Sequence, residues 1–116
     1  RLAQHIAQAH DCTARVDYRR QYPATVNSPE ESGRAARAAA AVIGPERVVD
    51  DANPSMGAED FAFMLAERPG CYVWLGAGRG GSGPGLHNPR YDFNDRILPI
   101  GASYWVTLVE RELAGL

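Results

Sequence analysis

The sequence predicts an α/β fold, a sheet flanked by helices, and three observations carry that expectation. From Ser28 onward the chain reads helix, strand, helix, strand, helix, the order that builds layered α/β domains. Cys71-Tyr72-Val73-Trp74-Leu75 is an apolar run without alternation, which suits a strand covered on both faces. The 116 residues are 45% hydrophobic and 22% charged, a globular composition with room for one modest core or for parts of two domains.

The elements follow in order. Leu2, Ile6 and Ala9 share one side of a helix over residues 1–10. Thr13 to Tyr18 alternates, with polar Thr13, Arg15 and Asp17 on one face, which predicts a strand with one wet side. Residues 21–27 contain Pro23 and no periodicity, so a connection is expected there, with a domain boundary near Tyr22 that separates residues 1–21 from residues 22–116. Ser28 is placed to cap, Pro29 stands at the first helical position, and Glu31 completes a capping box. The alanine-rich helix that follows stops at Gly44-Pro45. Arg47-Val48-Val49 predicts a short strand, and residues 59–67 a second helix ended by Arg68-Pro69-Gly70. The buried strand over 71–75 comes next, then a glycine-rich loop and a polar-aromatic stretch through Asp95. A long final helix closes the chain, with Tyr104, Leu108, Trp105, Val109 and Leu113 on its apolar side and Ser103, Thr107 and Glu110 on its wet side.

Composition removes several function classes. The net charge is −2 and no lysine occurs, so all twelve basic residues are arginine and nothing marks a nucleic-acid or anionic-membrane surface. No apolar run approaches the ~20 residues of a membrane span, and no signal peptide is read. Cys12 and Cys71 are far apart, which predicts a reducing, cytoplasmic setting and no disulfide framework. The chain opens at Arg1 and not at methionine, from which we expect a piece of a longer protein.

Motifs with chemical potential are few. Gly76-Ala77-Gly78-Arg79-Gly80-Gly81 matches G-x-G-x-x-G, but Ser82-Gly83-Pro84-Gly85 follows, so no helix opens to meet a pyrophosphate. Ser82 also lacks the spacing of a nucleophile elbow. His5 and His10 lie five apart on different helix faces; with Cys12 they make an incomplete zinc set and read as exposed histidines. His87, in a loop after the apolar run and beside Tyr91, Asp92, Asn94 and Asp95, is either a loop-packing histidine or a metal ligand. As a ligand it would need partners elsewhere, because a catalytic site takes at least three protein ligands. Gly57-Ala58-Glu59-Asp60 opens a helix. Its amides could meet an anionic or carbonyl group of a substrate, and its carboxylates could orient a metal-bound histidine or merely cap the helix.

Two longer segments carry a resemblance. Pro54-Ser55-Met56-Gly57-Ala58-Glu59-Asp60-Phe61 resembles the P-x-M-G-x-E-D-F segment of the hippurate hydrolase and N-acyl-amino-acid amidohydrolase family. Leu86-His87-Asn88-Pro89-Arg90-Tyr91-Asp92-Phe93-Asn94-Asp95, with Leu98-Pro99-Ile100-Gly101-Ala102 after it, resembles a second segment of that family, and the likeness runs in order along the chain. It implies a dinuclear metallohydrolase that cleaves the amide of N-acyl or N-aroyl amino acids. Its α/β catalytic domain is interrupted by an α+β lid that also mediates a homodimer. On this resemblance, residues 1–21 are the last helix and strand of the lid, and residues 22–116 are the C-terminal part of the catalytic domain. His87 would be a metal ligand, and Gly57 and Glu59 would face the substrate. The two divalent ions would be zinc, with manganese as an alternative. The other ligands and the general-base glutamate belong to the family's N-terminal half, with no counterpart here, so this chain carries no catalytic residue of its own and is expected to be inactive alone. The alternative is a non-catalytic structural or assembly fragment, or a truncated gene product.

Overall fold

In the computed structural model, which describes residues 1–78, 80 and 83–114, four helices account for the regular structure. They are α1 (Leu2–Ala9), α2 (Pro29–Ile43), α3 (Phe61–Glu67) and α4 (Leu98–Leu113), with single 3₁₀ turns at Pro45–Arg47 and Asp95–Ile97. Each helix end has a local cause. Pro29 begins α2 after an extended Ser28, with Glu30 and Glu31 in the first turn at the positive end of the helix dipole. The helix ends at Gly44, whose φ of +88° is a conformation that side chains with a Cβ avoid. The C-terminus of α1 is a Schellman closure. Asp11 turns left-handed at φ +50°, its amide bonds to the Gln8 carbonyl, and the Cys12 amide bonds to that of Ala7.

The packing centre is the contact of α2 with α4. Ala35 and Ala38 are buried there, and the side of α4 that turns inward is Ile100, Gly101, Tyr104, Thr107 and Leu108. The small Ala35 and Ala38 side chains on α2 face this side of α4, while Gly101 packs instead against the Leu75 side chain, which a Cβ there would meet at 3.4 Å. The expected wet and dry sides of α4 are rotated by this packing. Thr107 is half-buried, whereas Trp105, Val109 and Leu113 face outward. Arg34 of α2 reaches Glu112 of α4 at 2.8 Å and also pairs with Glu30 one turn away. Ala62 in α3 is the third buried apolar residue.

The expected helix-flanked sheet is overturned: among the described residues there is no strand at all. Residues 13–18 and 71–75 carry strand-like patterns but no regular structure, and Arg47 ends a 3₁₀ turn instead of starting a strand. The reason is physical. A helix satisfies its own backbone, but a strand exists only where a neighbour accepts and donates its hydrogen bonds. At 70–72 the neighbour is one backbone amide and two side chains, those of Ser28 and Asn27. The Ser28 amide donates to the Gly70 carbonyl (2.9 Å) and the Gly70 amide to Ser28 Oγ (3.1 Å). The Tyr72 amide donates to Asn27 Oδ1 (2.8 Å), and Asn27 Nδ2 donates to the Tyr72 carbonyl (2.9 Å). This pairing resembles one rung of a ladder, and it stops there. It also corrects the capping box, since the Ser28 hydroxyl serves residue 70 and not its own helix.

The resulting shape is open. The radius of gyration is 20.1 Å, against ~13 Å for a compact domain of this length. The exposed surface is 10341 Å², where a compact protein of this mass shows about 6,200 Å². Trp74, Leu75, Phe93, Trp105 and Met56 are among the large apolar side chains left outside.

Candidate functional site

The two motif segments stand on different supports. Residues 50–58 approach α3 without regular structure, and α3 begins at Phe61, with Asp60 as its N-cap, and not at Glu59. Gly57 therefore lies ahead of the helix, not in its first turn. Its amide donates to Ser55 Oγ at 3.3 Å. A Cβ at Gly57 would meet only that same oxygen at 3.6 Å, so the backbone is open to an approaching molecule.

Glu59 is fixed more firmly. Its Oε1 accepts from the Phe61 amide at 3.2 Å. A hydrogen bond with the Tyr72 side chain, followed by that with the Phe61 amide, holds its carboxyl below the usual glutamate range. The same contact raises the Tyr72 phenol, while a hydrogen bond with the Trp74 side chain opposes the rise. The Tyr72 and Phe61 rings lie 5.7 Å apart, tilted by 41°. Asn27 and the Phe61 ring thus hold Tyr72 beside the start of α3, where Glu59 accepts from the Phe61 amide.

His87 stands on a turn. The Asn88 amide bonds to the Gly85 carbonyl at 3.3 Å, and His87 occupies the third position with φ +66°. A left-handed histidine costs on the order of 1 kcal/mol relative to glycine there, and such residues collect at functional positions. A second turn follows at once, with the Tyr91 amide on the Asn88 carbonyl (2.9 Å) and the Arg90 amide on Asn88 Oδ1 (2.9 Å). Tyr91 and Phe93 meet edge to face at 5.1 Å. Asn94 Nδ2 donates to the Ala77 carbonyl (3.4 Å), tying this loop to the glycine-rich one beside a shallow hollow lined by Gly78, Asn94, Asp95 and Arg96. His87 itself is exposed.

The structure brings Glu59 to Tyr72, and no hydrogen bond or ion pair among the described residues joins His87 to Gly57 or Glu59. Among the described residues, no three histidine, cysteine, aspartate or glutamate side chains stand close enough together to hold a metal ion. That applies to His5, His10 and Cys12 as well; the Cys12 thiol instead contacts the His10 carbonyl at 3.2 Å. Cys12 is exposed, Cys71 is half-buried, and both are free thiols. Arg79 and Gly81 of the G-x-G-x-x-G stretch, and Ser82, lie outside the described residues. Sequence reasoning missed Tyr72, which the Asn27 side chain clasps and the Phe61 ring meets; the one available signal was its polar atom in an otherwise apolar run.

The chain has recognisable relatives. The family described as peptidase family M20/M25/M40 matches residues 3–111. A hippurate hydrolase of Campylobacter jejuni is 29% identical over 113 residues, covering 97% of this chain and 29% of that protein. An N-acetyldiaminopimelate deacetylase of a Geobacillus strain is 31% identical over 104 residues, 90% of this chain and 26% of that protein. An IAA-amino acid hydrolase, ILR1-like 4, of Arabidopsis thaliana is 29% identical over 116 residues, 95% of this chain and 26% of that protein. The chain thus spans between a quarter and a third of the length of these relatives. No solved structure matches.

Proposed function

The chain belongs to peptidase family M20/M25/M40, and from that premise we propose that it forms part of an amidohydrolase that cleaves N-acyl or N-aroyl amino acids. The observation that carries the reading is the family match over residues 3–111, with relatives named hippurate hydrolase, N-acetyldiaminopimelate deacetylase and IAA-amino acid hydrolase. All three names describe hydrolysis that frees an amine or an amino acid from an acyl partner.

Peptidases of this family are generally metal-dependent. The described residues do not make a metal site, because no three candidate ligands converge. What this chain offers is one exposed imidazole at His87, and we assign it the role of a single ligand to zinc, or to manganese, completed by residues outside this chain. Gly57 offers an unobstructed backbone for the substrate, and Glu59 holds the approach to α3. We further assign residues 1–21 to a lid domain and residues 22–116 to the catalytic domain of a cytoplasmic homodimer. No helix of the described residues is long and apolar enough to cross a membrane.

The test is direct. The reading frame upstream of Arg1 is expected to encode a Cys-x-His motif. The polypeptide that includes it, loaded with zinc or manganese, is expected to release free amino acid from hippurate or from N-acetyl amino acids. The 116-residue chain alone is expected to match buffer. Release of no amino acid from any member of such a panel by the longer polypeptide would sink the proposal. Metal-dependent turnover by the short chain would sink the division of ligands.

A further inference from the structure

We propose that Asn94 is a positioning residue for His87: its side-chain amide pins the base of the His87 loop to the glycine-rich loop on one side and to the head of α4 on the other. The inference rests on the reading of His87 as a working residue of the site, and it names the group that holds that residue in place.

One planar amide serves two stretches of backbone. Asn94 Nδ2 donates to the Ala77 carbonyl at 3.4 Å, 17 residues back along the chain, and Asn94 Oδ1 accepts from the Arg96 amide at 3.3 Å. These partners fix which way the amide faces, because the reverse orientation sets N–H against N–H and carbonyl against carbonyl. Asn94 and Ala77 are both half-buried. Each partner belongs to an element that is itself held. Arg96 lies in the 3₁₀ turn Asp95–Ile97, which runs without a break into α4, the helix packed on α2. Ala77 follows two residues after Leu75, whose side chain lies over Gly101 of α4, 3.4 Å from where a Cβ would stand. Between this pin and His87 the loop shapes itself. The turns at 85–88 and 88–91 follow one another, Asn88 Oδ1 braces the second by accepting from the Arg90 amide, and the Tyr91 and Phe93 rings meet at 5.1 Å. His87 is exposed, so the backbone that carries it sets where the imidazole stands, and Asn94 ties that backbone to the body of the molecule. The task suits a carboxamide, which alone among short side chains offers a donor and an acceptor on one rigid plane.

The experiment separates the two ends of the amide. Asn94→Asp and Asn94→Ser both keep an oxygen for the Arg96 amide, since aspartate and serine cap as well as asparagine. Both lose the donor to Ala77, aspartate for want of a proton and serine for want of reach. Amide nitrogen relaxation by NMR on this chain is expected to show residues 85–93 losing order together in either variant, with the α4 amides as ordered as in the wild type. In the longer polypeptide, both variants are expected to lower kcat for hippurate about tenfold, the scale on which groups that support a ligand act, with KM nearly constant. A His87 amide that stays as ordered in both variants as in the wild type overturns the proposal. So does a loss of order that begins in α4, which would make Asn94 a helix cap and nothing more. An unchanged kcat also overturns it where His87→Ala abolishes turnover. Turnover that is absent from the start, or that survives His87→Ala, counts against the proposed function, while the relaxation data still decide whether Asn94 holds the loop.

Discussion

Helices α1 and α2 are both amphipathic, yet one is built into the molecule and the other is not. α2 runs for 15 residues, buries Ala35 and Ala38, and is fastened to α4 through Arg34 and to residue 70 through Ser28. α1 runs for 8 residues, has no acidic residue in its first turn, and buries nothing; Leu2 and Ile6 stay exposed. Its end is nevertheless well closed by the Asp11 turn. An apolar stripe and sound caps suffice to make a helix, and only an opposing surface turns that stripe into a core.

The comparison can be broken where it is strongest. Ala38 is fully buried between α2 and α4, and Ala38→Leu forces extra volume into that contact. It is expected to cost about 1–3 kcal/mol, read as a lower melting midpoint in circular dichroism, whereas the equivalent Ala3→Leu change in α1 should leave the midpoint in place. An unmoved midpoint for Ala38→Leu would mean that α2 stands alone, as α1 does. Next in size is Asn27→Ala, which leaves the Tyr72 amide and carbonyl without their partner. A loss of about 1 kcal/mol is expected, with faster hydrogen exchange confined to the Tyr72 amide and its neighbours. Uniform acceleration across α2 would instead show that the clasp and the helix pair melt as one unit.

A third change sharpens the contrast between holding and presenting. His87→Gly relieves a left-handed backbone and should leave the midpoint equal or raised by up to about 1 kcal/mol in stability. In the longer polypeptide the same change should abolish most turnover. Loss of stability with turnover retained would make His87 a packing residue. The smallest effect is in pH. Glu59 has a folded pKa below its unfolded one, so its contribution is present above about pH 4.3 and fades as pH falls through the lower folded value. Tyr72 has a folded pKa above its unfolded one, so its contribution is complete below about pH 10 and fades as pH rises through the higher folded value. The order around α3 should weaken at both extremes, with the signal from α2 steady between them; the reverse sequence of losses would place the pH-sensitive contacts elsewhere.

The helices were legible because their signals are local. Pro29 and Gly44 bracket α2 where the structure has it, and α4 begins at Leu98-Pro99, with Pro99 in its first turn. α3 starts two residues later than its acidic N-terminus suggested, because Glu59 stands ahead of the helix and accepts from the Phe61 amide instead of entering it. The strand expectations failed for a different reason. Alternation at 13–18 and apolarity at 71–75 describe the surfaces those residues would present to neighbours, and neither segment has a strand beside it. His87 was legible as a loop residue of interest, but its left-handed backbone was not, since nothing in Leu86-His87-Asn88 demands it. The family match over residues 3–111 supports the resemblance that the two motif segments carried.

The clasp between Asn27 and Tyr72 also dictates an order of assembly. It joins residues 45 positions apart, and closing so long a loop forfeits chain entropy before any contact rewards it. α2 lies wholly inside that loop and can coil first, on the microsecond scale of helix growth. Its formation shortens the free span that remains to be searched, because 15 residues then advance only ~1.5 Å each. Folding should therefore run from helix to clasp, with Tyr72 among the last residues to find its place. A refolding trace that followed Trp74 fluorescence would lag behind one that followed helical dichroism.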